Sequence, residues 1–182
     1  DVIKAIADNK ITVEFVSDSS KSWIIDGAKI TAVSEVDLSI LPGSVDTGSL
    51  RGVTGVKFKL NVTNVSADLK VAFKKQYAGE FANIYKLVNN KLVFQNCVKL
   101  ATDGTAILPD MTAGEYAVML GKYSDRPGDV NNDGILSIAD ALSLLRYSVG
   151  LEKGENILMG DFNGDGKIDL ADALAVLRWS VG

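Results

Sequence analysis

"DVNNDGILSIAD" (129–140) is followed 32 positions later by "DFNGDGKIDLAD" (161–172). Aligned without gaps, 129–150 and 161–182 share 13 of 22 residues. The identities include Asp129/Asp161, Asn131/Asn163, Asp133/Asp165, Gly134/Gly166 and Asp140/Asp172. Short oxygen-bearing side chains alternate here around a glycine suited to a sharp turn. After each glycine the composition shifts to helix formers, in "SIADALSLLRYSVG" (137–150) and "DLADALAVLRWSVG" (169–182). Each stretch ends in Gly, a helix stop signal. The sequence from 129 onward therefore predicts loop–helix, linker, loop–helix.

The spacing is that of a twelve-residue calcium loop. Ca²⁺ is a hard cation that takes about six to eight oxygens at roughly 2.3–2.6 Å. Positions 1, 3 and 5 (Asp129, Asn131, Asp133; Asp161, Asn163, Asp165) place three oxygens on one side of a tight coil. Position 7 (Ile135, Lys167) contributes a backbone carbonyl, so its side chain is free to vary. Position 9 (Ser137, Asp169) ligates directly or through water. Position 12 (Asp140, Asp172) lies in the first helical turn and closes the sphere. The duplicated pattern predicts two Ca²⁺ ions. Without a cation, carboxylates this close repel one another by roughly several kcal/mol.

Charge distribution agrees. Residues 1–128 hold 15 Lys+Arg and 14 Asp+Glu, net +1; residues 129–182 hold 4 and 9, net −5. The acidity sits at fixed loop positions, and no basic patch suggests nucleic acid. No apolar run approaches the ~18 residues of a membrane span. No basic n-region with a following apolar h-region is present. A chain starting at Asp1 reads as a mature or excised fragment, which keeps secretion open. The absence of histidine removes Ser-His and Cys-His nucleophile systems and the usual zinc sites. Cys97, the sole cysteine, lies in a strand-like run and reads as a buried structural thiol.

The first ~122 residues read as β. "KITVEFV" (10–16), "GVKFKLNV" (55–62) and "GEYAVML" (114–120) alternate apolar and polar residues, the period of half-buried strands. "YKLVNNKLVFQ" (85–95) predicts a hairpin turning at Asn89–Asn90, because Asn tolerates positive φ. "TDGT" (102–105) predicts a second turn. Six or seven strands with no strong helical segment predict an antiparallel β-sandwich. The fold class is thus α+β: a β-sandwich over 1–122, a short linker over 123–128, and a small all-α unit of EF-hand-like loop–helix repeats over 129–182.

Each loop departs from an ordinary EF-hand. Position 12 is Asp, not Glu, and no helix precedes the loop. A duplicated loop–helix without an entering helix resembles the dockerin family, over about 54 residues and as far as "LLRYSVG" and "VLRWSVG". The resemblance implies calcium-dependent folding and binding to a cohesin module of a scaffoldin or cell-surface protein, outside a bacterial cell, as in cellulosomes. It also implies partner contacts at loop positions 10 and 11 and helix positions 17, 18 and 22. These fall on Ile138, Ala139, Leu145, Arg146 and Gly150, and on Leu170, Ala171, Leu177, Arg178 and Gly182. Enzyme-borne dockerins often carry Ser-Thr at 10/11 and a basic residue at 17; the aliphatics here imply a more apolar interface. The near-identity of the two copies implies two almost equivalent faces, either able to engage the partner. Leu142, Leu144, Val149, Val176 and Val181 are expected in the core, and Tyr147 and Trp179 as core or helix-packing residues rather than sugar platforms. For Leu145 and Leu177 core and interface both stay open.

"ANIYKLVNNKLVFQ" (82–95) followed by "VKLATDGTAILPDMTAGEYAVML" (98–120) loosely resembles the immunoglobulin-like X modules that precede dockerins, which implies a supporting role. The alternative is a carbohydrate-binding sandwich tethered by the dockerin, with Trp23 and Tyr77 as sugar platforms; no aromatic cluster at strand spacing favours it. Paired carboxylates for glycoside hydrolysis need a cleft, and Glu14, Glu35, Glu80 and Glu115 are scattered. No catalytic residue is predicted.

Overall fold

The computed structural model describes residues 2–33, 35–62 and 65–182. The chain forms two compact units, Asp1–Leu120 and Gly121–Gly182. Residues 123–128, expected as a linker, belong to the second unit and bond to its first loop.

The first unit opens on a helix that the sequence reading did not anticipate, α1 (Val2–Asn9). It spans only eight residues. Ile6 is buried and Ile3 packs beside it on the core, so tertiary contact, not length, holds this helix. Nine strands follow among the described residues: β1 (Thr12–Asp18), β2 (Lys21–Asp26), β3 (Ile40–Pro42), β4 (Val53–Leu60), β5 (Ala67–Ala72), β6 (Phe81–Val88), β7 (Lys91–Lys99), β8 (Thr105–Met111) and β9 (Gly114–Gly121). The expectation of six or seven was low. β3 has three residues, too few to show a period.

The strands form two antiparallel sheets, ordered β1-β2-β5-β8 and β3-β4-β9-β6-β7. One apolar core draws on both. Trp23, Ile25, Leu69 and Leu108 come from the first sheet, and Phe58, Leu60, Ile84 and Val118 from the second. The predicted hairpin is β6–β7. Asn89 and Asn90 take φ of 49° and 61°, and Val88 pairs with Lys91. The 102–105 turn also forms, with Thr105 N–H donating to Asp103 Oδ1 at 2.9 Å. Cys97 is buried on β7.

The second unit is α2 (Ile138–Ser148) and α3 (Leu170–Val181), each opened by a loop. Gly150 takes φ +76° just past α2. Its core is small: Val130, Ala141, Leu144, Ala173 and Val176, with Leu136, Ile157, Phe162 and Ile168 against them. Leu144 and Val176 are therefore core as expected. Leu142, Val149 and Val181 are not; all three are exposed, as is Trp179, while Tyr147 is half-buried. A two-helix unit this small has one internal stripe per helix, and the remaining apolar residues have no interior to enter.

Candidate calcium loops and docking groove

Each loop is a chain of side-chain caps on its own backbone. In the first, Asp129 accepts from the N–H groups of Asp133 (3.1 Å) and Gly134 (2.9 Å). Asn131 Oδ1 accepts from Asp133 N–H, and Asp133 Oδ1 from Ile135 N–H. The second loop is similar, with the position-4 amide replacing the position-5 amide as a donor to position 1. Asp161 accepts from Gly164 and Gly166, Asn163 from Asp165, and Asp165 from Lys167. Gly134 and Gly166 take φ of +88° and +83°, the left-handed turn at position 6 that side chains resist.

Positions 9 and 12 also build the helix start. Ser137 Oγ accepts from Ala139 N–H, and Asp140 Oδ2 from Ser137 N–H. Asp169 and Asp172 do the same for α3. These are capping boxes, with the acidic partner at the positive end of the helix dipole. The other oxygen, Oδ1, reaches back across the loop. In Asp140 it accepts from Val130 (3.1 Å) and Asn131 (3.3 Å), in Asp172 from Phe162 (2.9 Å) and Asn163 (3.1 Å). One residue thus ties loop start to helix start in each repeat. The Ile135 side chain is exposed, as a backbone-only position allows.

The electrostatics leave these loops short of positive charge. Asp129, Asp140 and Asp172 are each 0% exposed. Among the described residues no ion pair joins any of them to Lys or Arg. Burial raises the Asp140 pKa, opposed by N–H donation from Ser137 and Asn131, and the Asp129 and Asp133 carboxylates raise it further. Buried carboxylates stay ionised only when paired or bound to metal. Among the described residues no three Asp, Glu or Cys side chains gather tightly enough to form a metal cluster by themselves. An all-oxygen sphere in either loop would also have to draw on the Asn131 or Asn163 amide oxygen and the position-7 carbonyl. An all-oxygen donor set suits a hard cation and no softer metal.

Residues 127–178 match the dockerin type I domain. The match spans 52 of the 182 residues, and a β-rich region precedes it. Nothing matches in the comparison with curated proteins or in that with solved structures. Dockerin type I domains are calcium-binding, non-catalytic interaction modules that bind cohesins. They occur in extracellular cellulosome proteins. The donor set above fits that metal. Calcium would supply the positive charge that these loops lack.

All ten positions at which partner contacts were expected are exposed. The structure divides them. Ile138, Leu145, Leu170 and Leu177 line one apolar groove of about 220 Å³ between α2 and α3. Ala139, Arg146, Gly150, Ala171, Arg178 and Gly182 lie outside it. The groove is completed by Ala141, Leu142, Ala173 and Leu174, none of which the sequence reading placed at an interface. Its eight residues are four pairs 32 positions apart: Ile138/Leu170, Ala141/Ala173, Leu142/Leu174 and Leu145/Leu177. The duplication therefore yields a single groove shared by both copies. Arg146 lies 3.8 Å from Glu152 in an exposed ion pair.

In the β unit, Trp23 is no sugar platform. It is buried in the core, and its Nε1–H donates to Leu38 O at 2.8 Å. Tyr77 lines a pocket of about 340 Å³ with Phe73, Lys21 and Lys74. Glu14 bonds Ser22 and Lys70 on one sheet, and Glu115 bonds Ser44 on the other.

Proposed function

We infer that residues 121–182 hold two Ca²⁺ ions through the twelve loop positions named above and seat a cohesin in the groove between α2 and α3, outside a bacterial cell. The assembly served is a cellulosome-like complex, or attachment to a cell-surface protein. The β unit is an immunoglobulin-like X module that supports the dockerin.

One observation carries the docking part of this reading: an apolar groove formed by residues at matching positions of both repeats. Contiguous apolar surface marks interaction sites. Both repeats face the same groove, so one partner surface touches both helices at once. Each buried aliphatic anchor is worth about 2 kcal/mol when truncated, and a charge in its place costs more. Leu145→Asp and Leu177→Asp should each weaken cohesin binding by about two orders of magnitude or more, given 1.4 kcal/mol per tenfold. Calorimetry against a cohesin panel measures this. Full binding by either variant, with the other repeat taking over, would favour two independent faces instead.

A second reading keeps the β unit as a glycan binder, supported by Tyr77 beside its pocket. Retention of residues 1–120 on insoluble cellulose or starch, lost in Tyr77→Ala, would support it.

A further inference from the structure

The two loops carry the same residues at positions 1, 3, 5 and 12 and differ in what holds them. The segment joining the repeats contains Asn156, which is 3% exposed. Its side-chain amide donates to Ser124 O at 2.7 Å and to Asp129 O at 3.0 Å. Its backbone N–H donates to Val130 O at 2.9 Å. Asn156 thus grips the first two residues of loop 1 from outside the loop.

Two more residues act from other sides. Asn132, at loop position 4, accepts from Ser124 N–H at 2.9 Å and donates to Lys122 O at 3.0 Å. Its φ of +61° aims the side chain back at the preceding strand of chain. Arg126 Nε–H donates to Gly134 O, the carbonyl at position 6, at 2.8 Å. Loop 1 is therefore pinned at its entry, its middle and its turn.

Loop 2 has none of this. Position 4 is Gly164, which has no side chain. The residue 32 positions after Arg126 is Leu158, which is exposed. Every side-chain hydrogen bond to the loop 2 backbone among the described residues comes from within 161–172. Asn163 through Lys167 are exposed, whereas Asp129 and Val130 are buried.

We propose that Asn156, with Asn132, is a positioning residue for the first calcium site: it holds loop 1 in ligand-ready shape before the ion arrives, and loop 2 takes its shape only with the ion. Neither side chain is a ligand. Each acts through the backbone that carries Asp129 and Asn131. Ligand charge alone favours loop 2, which has four carboxylates (Asp161, Asp165, Asp169, Asp172) against three in loop 1 (Asp129, Asp133, Asp140). Pre-ordering opposes that difference, because a loop already fixed loses less conformational freedom on binding. Outer-shell partners of this kind are worth about 10–100-fold in metal affinity. The inference rests on the calcium reading of the loops.

The test is a CaCl₂ titration of the full chain followed by NMR, with the Gly134 and Gly166 amides reporting the two sites separately. Asn156→Ala should weaken the Gly134 site by about 10–100-fold and change the Gly166 site by about twofold or less, as for independent sites. Asn132→Gly gives loop 1 the residue loop 2 already has and suits the positive φ, so it keeps the fold. It should weaken the Gly134 site selectively and by a smaller factor. Equal losses at both sites would mean only a general structural role and would overturn the proposal. So would an unchanged Gly134 site in Asn132→Gly and Asn156→Ala; if the latter does not fold, Asn132→Gly decides alone. A wild-type chain whose two amides ignore CaCl₂ overturns the calcium reading itself, and the positioning role with it.

Discussion

Loop 1 and loop 2 carry the same side chains at positions 1, 3, 5 and 12 and similar intraloop hydrogen bonds, yet the start of one is buried and that of the other half-exposed. Asp129 is buried at the start of loop 1, while Asp161, its equivalent, is half-exposed. Gly128 packs where the first loop meets the second repeat; a Cβ there would meet Leu136 Cδ1 at 2.6 Å and Phe162 Cδ2 at 2.9 Å. A Cβ on Gly166 would meet nothing within 4 Å. The lesson is that a ligand pattern fixes which ion can bind, while the surroundings fix how much order the ion must supply.

The largest effect that sharpens this contrast is calcium removal. Binding only the folded form stabilises by about 4 kcal/mol per site at 1,000 times Kd, comparable to the whole stability of a small domain. Excess chelator should therefore melt loop 2 and α3, while loop 1 with the first turn of α2 and the sheets of residues 1–120 persist. Hydrogen exchange should show protection lost over 161–172 and retained over 129–140. Simultaneous loss in both loops, or unchanged helical circular dichroism, would break the contrast.

A smaller effect comes from the two glycines. Gly128→Ala combines positive-φ strain of about 1 kcal/mol with overpacking of about 1–3 kcal/mol. Gly166→Ala carries the strain alone, about 1 kcal/mol. Thermal unfolding in saturating calcium should rank Gly128→Ala as the more damaging. The reverse order would show that the junction of the repeats is looser than its packing indicates.

How far the sequence reached also differs between regions. The loop turns and helix starts were legible because a turn glycine recurs at a fixed spacing and helix formers follow it. The β6–β7 hairpin was legible because Asn89 and Asn90 suit its turn. Helix α1 was not, since eight residues carry little periodic signal and Ile3 and Ile6 declare themselves only against the core. Nor could periodicity separate the groove from the core. Leu144 and Leu145 are adjacent leucines on one helix; the first is buried and the second open, according to which side of α2 meets the small core. Asn132 and Asn156 looked like ordinary loop residues, because their partners lie eight to 32 positions away.

Calcium-dependent docking through one groove is tested most directly by passing the full chain over immobilised cohesins in calcium, in excess chelator, and with Leu145→Asp in calcium. Binding to at least one cohesin in calcium should vanish in chelator and in Leu145→Asp, with Leu145→Asp still showing calcium-saturated helices. Binding that survives chelation, or survives Leu145→Asp, would contradict it.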